Sequence, residues 1–121
     1  MSYDRQNIFA KILRGEIPCD KVFENDHALA FNDISPKAPV HVLIIPKGAY
    51  ESSSDFSAKA SAEELAGFMR AIHAVAEKTG VLADGYRLIA NAGANGHQEV
   101  PHFHVHLVGG RPLGAMLQPK R

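Results

Sequence analysis

The sequence predicts an α+β fold, in which an antiparallel sheet of about five strands packs with one long and one short helix. Three observations lead to this class. A capping box, Ser61 with Glu64, precedes apolar residues at helical spacing. Residues 40–45 (VHVLII) are almost all apolar, which is typical of a strand buried on both faces. In residues 101–108, histidines alternate with apolar side chains, which also indicates a strand.

The remaining elements follow in chain order. A short helix is expected after Asn7, its N-cap, and it ends at Gly15 and Pro18. The long helix runs from Ser61 to Gly80. Residues 52–61, rich in serine and alanine, are expected to form an exposed connection. The predicted strands are 21–24 and 28–31, paired as a hairpin, then 40–45, 86–90 and 101–108.

Length and composition set the class of protein. The chain has 121 residues, so we expect one domain over 1–121 with a C-terminal tail over 110–121. Thirteen basic side chains balance thirteen acidic ones, so neither nucleic acid nor a membrane is an expected partner. The sequence has no long apolar stretch and no signal pattern, and it has a single cysteine, Cys19. These features predict a cytoplasmic protein.

The segment VPHFHVHLVGG places three histidines at alternate positions. In a strand, His102, His104 and His106 share one face, about 6.6 to 6.8 Å apart at the backbone, while Phe103, Val105 and Leu107 face the core. A solvent-facing strand would explain one histidine on this face. It explains three poorly, because polar strand faces are usually made of other residues.

Two kinds of chemistry would use such a row. Two histidines at i and i+2 can bind Zn²⁺, but the outer pair lies ~13 Å apart, and Glu99 is the single further candidate ligand. Alternatively, a neutral imidazole attacks phosphorus while its neighbours hold the phosphoryl oxygens. We predict neither a metal nor another cofactor, and the residues themselves leave the metal alternative open.

The segment HFHVHLV matches the signature of the histidine triad (HIT) superfamily. Four further stretches resemble its HINT branch, in this order along the chain: IFAKILRGEIP, LAFNDISPKAPVHVLIIPK, GYRLIANAG and HLVGGRPLG. The resemblance implies a HIT-like fold and a homodimeric purine nucleotide hydrolase. Its reaction would be cleavage of the P–N bond in purine nucleoside 5′-phosphoramidates, such as AMP-lysine, through a nucleotidyl-histidine that releases AMP or GMP.

The resemblance also implies catalytic roles. The middle histidine, His104, is the nucleophile, oriented by a main-chain carbonyl around His102. His106 hydrogen-bonds the α-phosphate, and His41 supports the row from a neighbouring strand. Asp33 accepts hydrogen bonds from the ribose hydroxyls, although an Asx turn would also explain it.

The nucleotide-binding residues implied by the resemblance form two further groups. Apolar walls around the purine comprise Phe9, Ile12, Phe31 and Ile34, all of which are otherwise core candidates. Amides near the phosphate are Asn91 and Gln98.

This chain departs from the branch at His97, often a glycine, and at Pro101, usually an aromatic. Glu99, variable in the branch, is expected to attract a cationic leaving group and to disfavour a second, anionic nucleotide. Three other functions stay open: a dinucleoside polyphosphate hydrolase of the FHIT type, a nucleotide-binding scaffold with little turnover, and a metalloenzyme.

Overall fold

The structure is a computed structural model and describes residues 3–117. Five strands form one antiparallel sheet in the order β1-β2-β3-β5-β4. The elements in chain order are α1 (Ile8–Leu13), β1 (Lys21–Glu24), β2 (Ala28–Asn32), β3 (Val40–Pro46), α2 (Ser53–Lys59), α3 (Ala62–Lys78), β4 (Tyr86–Ile89) and β5 (Val105–Gly109). This arrangement confirms the α+β class and the five-stranded sheet.

The two faces of the sheet have different coverings. Helix α3 packs on one face, where Val42 and Ile44 of β3 and Leu107 of β5 are fully buried in the main core. On the other face, Phe9 of α1 packs in a smaller cluster with Leu29, Phe31, Leu43 and Ile45. The central strand β3 is therefore buried on both sides, as its apolar run predicts.

Helix α3 begins and ends as the sequence predicts. The Ser61 hydroxyl accepts the Glu64 N–H, and the Glu64 carboxylate accepts the Ser61 N–H. Gly80, just beyond the helix, has φ of +77°, a conformation that glycine adopts at low cost. Asn7 likewise caps α1, because its side chain accepts the N–H of Ala10.

The prediction of an exposed connection over residues 52–61 is wrong, because Ser53–Lys59 forms helix α2. Ser52 caps this helix by accepting the N–H of Asp55. Its anchor is Phe56, which is buried and lies 5.2 Å from Phe103 and 5.1 Å from Phe68 between ring centroids. One buried aromatic in a serine-rich stretch gives too weak a periodic pattern to predict a helix.

The last strand is also shorter than predicted. Strand β5 begins at Val105, so His102 and His104 lie in the irregular segment just before it. The N–H of Phe103 donates to the carbonyl of Tyr50, which lies after β3, at 2.7 Å. The alternation of side chains nevertheless extends through this segment, since Phe103 and Val105 belong to the core under α3.

Of the predicted tail over 110–121, residues 118–121 lie outside the described part. Residues 111–117 form neither helix nor strand. They lie against the sheet, because Arg87 of β4 donates to the Gly114 carbonyl at 2.7 Å and Arg111 donates to the Lys37 carbonyl at 3.2 Å. None of the helices within residues 3–117 has the length and apolar character needed to cross a bilayer.

Candidate active site

His104 is held in one tautomer by its own backbone neighbour. Its Nδ1 lies 2.7 Å from the carbonyl oxygen of His102, which can only accept, so Nδ1 carries the proton and Nε2 keeps its lone pair. No hydrogen-bond partner for Nε2 occurs among residues 3–117. No fully buried polar side-chain atom in that range lacks a partner, so Nε2 must reach the surface of the site. The ring presents a lone pair to an incoming electrophile.

The tautomer of His106 is set by a relay from the loop before β3. The Lys37 N–H donates to Nδ1 of His41 at 3.0 Å, which places the proton of His41 on Nε2. That proton is donated to Nδ1 of His106 at 2.9 Å. In its neutral form His106 therefore carries its own proton on Nε2. The site places a nucleophilic nitrogen and a hydrogen-bond donor on neighbouring rings, whose centroids are 5.1 Å apart.

Burial keeps these imidazoles neutral. It lowers the pKa of His104 and of His41, in His41 against the opposing attraction of Asp33. Burial, with His104 and His41 close by, lowers the pKa of His106 to about 4. At neutral pH the row is thus uncharged, which a nucleophilic nitrogen requires.

His102 does not face the opening with the other two. Its side chain is fully buried, and its Nε2–H donates to the Pro46 carbonyl at 2.9 Å. The hydroxyl of Tyr3 donates to Nδ1, so both ring nitrogens are engaged by the protein. The expectation that the imidazole of His102 holds the phosphate is therefore wrong, and the phosphate contact of His106 stays a prediction. No sequence signal pointed to Tyr3, which lies 99 residues away.

The predicted purine walls separate into two groups. Phe9 and Phe31 are almost wholly buried, and the ring of Phe9 stands edge-on to His104 with centroids 4.9 Å apart. They form an apolar floor beside His104. Ile12 is partly buried against the same cluster, whereas Ile34 is 96% exposed and contributes nothing to the floor.

A cavity of about 390 Å³ adjoins His106 and His41. Asp33, Asn91 and Glu99 line it, so the structure brings these predicted residues together. Oδ2 of Asp33 lies 3.5 Å from Nε2 of His41, and Oδ1 accepts the Ser35 N–H at 2.7 Å. Asp33 therefore forms the Asx turn and still borders the cavity with its second oxygen. The basic side chains of Lys37, Arg87 and Arg111 also line the cavity and were not predicted.

The loop between β4 and the triad is held by Gln98. Its amide donates to the carbonyls of Glu51 at 2.6 Å and Val100 at 2.9 Å, and its oxygen accepts the Gly93 N–H at 3.2 Å. Gln98 therefore shapes the loop rather than offering a free amide. Glu99 is exposed, with its carboxylate 3.8 Å from the His97 ring. His97 has φ of +58°, which explains why glycine suits this position.

The hydrogen-bond pattern opposes a metal here. Asp33, His41 and His106 bring potential ligand atoms within 4.8 Å of one another. A metal bound to Nε2 of His41 would displace its proton to Nδ1, where the Lys37 N–H already points. The cluster is suited to passing hydrogen bonds and would have to rearrange to bind a cation.

Comparison with known proteins places this geometry in a family. Residues 14–113 match the HIT domain. The chain is 50% identical over 116 residues to the purine nucleoside phosphoramidase of Escherichia coli strain K12, covering 95% of this chain and 96% of that one. It is 55% identical to a 13.2 kDa HIT-like protein of Azospirillum brasilense, covering 96% and 95% of the two chains. A HIT family hydrolase from Clostridium thermocellum superposes with a TM-score of 0.86 at 37% identity, over 95% and 99% of the chains.

On this fold, a histidine keeps one ring nitrogen free, and the relatives that match the chain include hydrolases. The chain is therefore a hydrolase. Its particular kind follows from the match over most of its length. The chain belongs to the HIT family.

Proposed function

We propose that this hydrolase cleaves the P–N bond of purine nucleoside 5′-phosphoramidates, adenylated amines such as AMP-lysine among them, and releases AMP or GMP. The observation that carries the proposal is the single tautomer of His104, with Nδ1–H bonded to the His102 carbonyl and Nε2 free. The name of the E. coli relative, a purine nucleoside phosphoramidase, supports the choice of substrate.

The reaction proceeds in two displacements at phosphorus. In the first, the Nε2 lone pair of His104 forms a bond to phosphorus as the bond to the amine breaks, and the departing amine takes a proton from solvent, to which the second displacement returns one. The resulting nucleotidyl-imidazole is cationic, because Nδ1 keeps its proton, and the His102 carbonyl stabilises that charge. In the second, water attacks phosphorus, gives up a proton, and returns the bonding pair to Nε2.

His106 supports both displacements without exchanging protons. Its Nε2–H donates to a non-bridging phosphoryl oxygen, where negative charge grows in the transition state. The relay from Lys37 through His41 keeps that donor in place. Asn91, at the rim of the same cavity, offers an amide to the phosphate.

The nucleoside contacts two neighbouring parts of the site, the apolar floor and the Asp33 carboxylate. The purine packs beside Phe9, Phe31 and Ile12, and Oδ2 of Asp33 accepts from the ribose hydroxyls. Ile34, exposed in the free chain, closes over the base when the nucleotide binds. Because it is exposed beforehand, its burial would add apolar contact area on binding.

Glu99 lies where the leaving group departs. Glu99 lines the cavity, and its carboxylate opposes the lowering of the pKa values of His104 and His106, which supports a role at the site. A negative charge here attracts a cationic amine and repels a second nucleotide. This disfavours dinucleoside polyphosphates as substrates.

The test is rapid quenching with an adenosine phosphoramidate followed by mass spectrometry. We expect an AMP adduct on His104 that is absent in His104→Ala. Binding of AMP without an adduct or turnover would support a scaffold, faster hydrolysis of a dinucleoside polyphosphate would support the FHIT-type alternative, and loss of activity on thorough chelation would support a metalloenzyme. Each of these results would overturn the proposal.

We further infer that two copies pair through β4. This strand is an edge of the sheet, and its Tyr86, Leu88 and Ile89 are exposed. Next to it, an apolar groove of about 310 Å³ lies between the sheet and helices α2 and α3, with Met69 60% exposed at its side. Antiparallel pairing of β4 with β4 of a second copy would form one sheet of ten strands. The same two-fold symmetric interface would cover the groove of each copy. The apolar run over residues 40–45 is interior and takes no part in this pairing.

We place the enzyme in the cytoplasm, because the lone Cys19 and a nucleotide substrate both suit that compartment. Immunodetection in separated cell fractions tests this, and recovery outside the cytoplasmic fraction would contradict it.

A further inference from the structure

The N-terminal segment contacts the triad through Tyr3. Its ring stands edge-on to that of His102, with centroids 5.6 Å apart and planes at 69°. Its hydroxyl donates to Nδ1 of His102. Phe9 lies edge-on to the same imidazole at 6.3 Å, so the buried ring is bounded by two aromatics.

These contacts leave His102 one orientation. Pro46 accepts from Nε2 and Tyr3 donates to Nδ1, so a ring flipped by 180° would put carbon atoms in place of both nitrogens and lose both hydrogen bonds. The carbonyl of the same residue accepts the Nδ1–H of His104. His102 therefore connects Tyr3 to His104. Its side chain bonds Tyr3, and its main-chain carbonyl bonds His104.

We propose that Tyr3 is a positioning residue for catalysis, acting through His102 to hold the main-chain carbonyl that orients His104. The inference rests on the proposed function in taking His104 as the nucleophile. Burial raises the pKa of the Tyr3 phenol, so the hydroxyl remains a donor at neutral pH. The chain has Pro101 immediately before the triad, and the aromatic contact to His102 comes instead from the start of the chain.

A simpler role is anchorage of the N-terminal segment. That segment has bonds of its own: the Asn7 side chain donates to the Asp4 carbonyl at 2.7 Å, and Arg14 donates to the Arg5 carbonyl at 2.8 Å. If Tyr3 were only an anchor, losing its hydroxyl would change stability and leave the imidazoles and the rate of the chemical step unchanged. The two roles therefore predict different measurements.

The experiment compares Tyr3→Phe with Tyr50→Phe in the full chain. Both variants keep the ring and lose one hydroxyl. Tyr50 is a matched control because its hydroxyl donates to Glu64 on α3, 2.8 Å away, and its ring packs on Phe56. Steady-state kinetics on an adenosine phosphoramidate give kcat and KM. Nitrogen NMR of the histidine rings in the resting protein reports their hydrogen bonds without any substrate.

For Tyr3→Phe we expect kcat to fall about threefold to tenfold, as for loss of one hydrogen bond that supports the transition state, with KM within about twofold. The Nδ1 resonance of His102 should move towards that of an unbonded ring nitrogen, and the Nδ1–H of His104 should exchange faster with water. Tyr50→Phe should change none of these. Unchanged His102 and His104 signals, or equal losses of kcat in both variants, would overturn the inference.

Failure of the proposed function gives a different pattern. If His104→Ala kept its activity, the nucleophile would be wrong, while the NMR comparison would still decide whether Tyr3 controls the two rings. The two failures can therefore be distinguished in one set of proteins.

Discussion

Nε2 of His41 lies 2.9 Å from Nδ1 of His106, although the two residues are 65 positions apart in the chain. Strands β3 and β5 are paired so that His41 opposes Val108 and His106 opposes Leu43, which makes the two histidines diagonal neighbours on one face. The Lys37 N–H sets the direction of this hydrogen bond. A backbone amide in a loop thereby decides which nitrogen of neutral His106 carries the proton.

Replacing His41 should reduce the stabilisation of the transition state by His106. In His41→Phe the proton of His106 is free to move to Nδ1, so its Nε2 donor is lost part of the time. We expect kcat/KM to fall about tenfold on an adenosine phosphoramidate. His73→Phe, an exposed position on α3, is the control and should match the parent. Equal activity in the two variants would contradict the relay.

On the acid side, activity should fall at a pH below the usual pKa of a histidine side chain. Burial lowers the pKa of His104, so its Nε2 stays unprotonated at mildly acidic pH. The profile of kcat/KM, which reports groups of the free enzyme, should reach half its plateau below pH 6.5, the usual pKa of histidine. The uncatalysed breakdown of the substrate is subtracted at each pH. A half-plateau above pH 6.5 would show that His104 is not held neutral.

Stability should fall as pH decreases from about 6.5 to 4.5. The pKa of His102 is about 4 in the folded protein, against about 6.5 when unfolded, so its stabilising contribution is complete above pH 6.5 and is lost towards the folded pKa. Over this range His102 alone should lower the free energy of unfolding by roughly 2 to 3 kcal/mol. Paired carboxylates such as Glu24 and Asp55 have lowered pKa values, so their contributions are lost mainly below this window. Urea unfolding measures the change, and equal stability at both ends would refute it.

Neutralising Glu99 should change substrate choice more than overall rate. Glu99→Gln keeps the shape of the side chain and removes its charge. We expect kcat/KM for AMP-lysine to fall about threefold at low salt, because an exposed charge contributes modestly, while a neutral alkyl phosphoramidate changes little. High salt should reduce the difference. An equal change for both substrates would remove Glu99 from the recognition of the leaving group.

A charge in the proposed interface should separate the two copies. Leu88 on β4 is 43% exposed and lines the apolar groove, so Leu88→Glu should convert a dimer to a monomer in size-exclusion chromatography with light scattering. Leu82→Glu is the control, because Leu82 is equally exposed at 44% and lies outside that groove. A parent protein that is already monomeric, or a Leu88→Glu dimer, would contradict pairing through β4.

Local sequence patterns predicted the helices and strands that are specified by residues close together in the chain. The capping box of α3 and the cap of α1 involve residues three positions apart, and the buried strand β3 appears as an apolar run. Helix α2 was missed because one buried phenylalanine holds it through contacts with two distant aromatics. The local signals for it were the cap formed by Ser52 with Asp55 and the i,i+4 pair of Asp55 and Lys59.

By itself, the sequence determined that alternate imidazoles share a side and that apolar residues between them enter the core, because both follow from the two-residue repeat of an extended chain. Only the tertiary structure decided which imidazole can react. The protons of His102, His104 and His106 are placed by Tyr3 and Pro46, by a main-chain carbonyl, and by His41. A tautomer depends on which donor or acceptor faces each nitrogen, and except for the His102 carbonyl those groups come from parts of the chain that meet only when it folds.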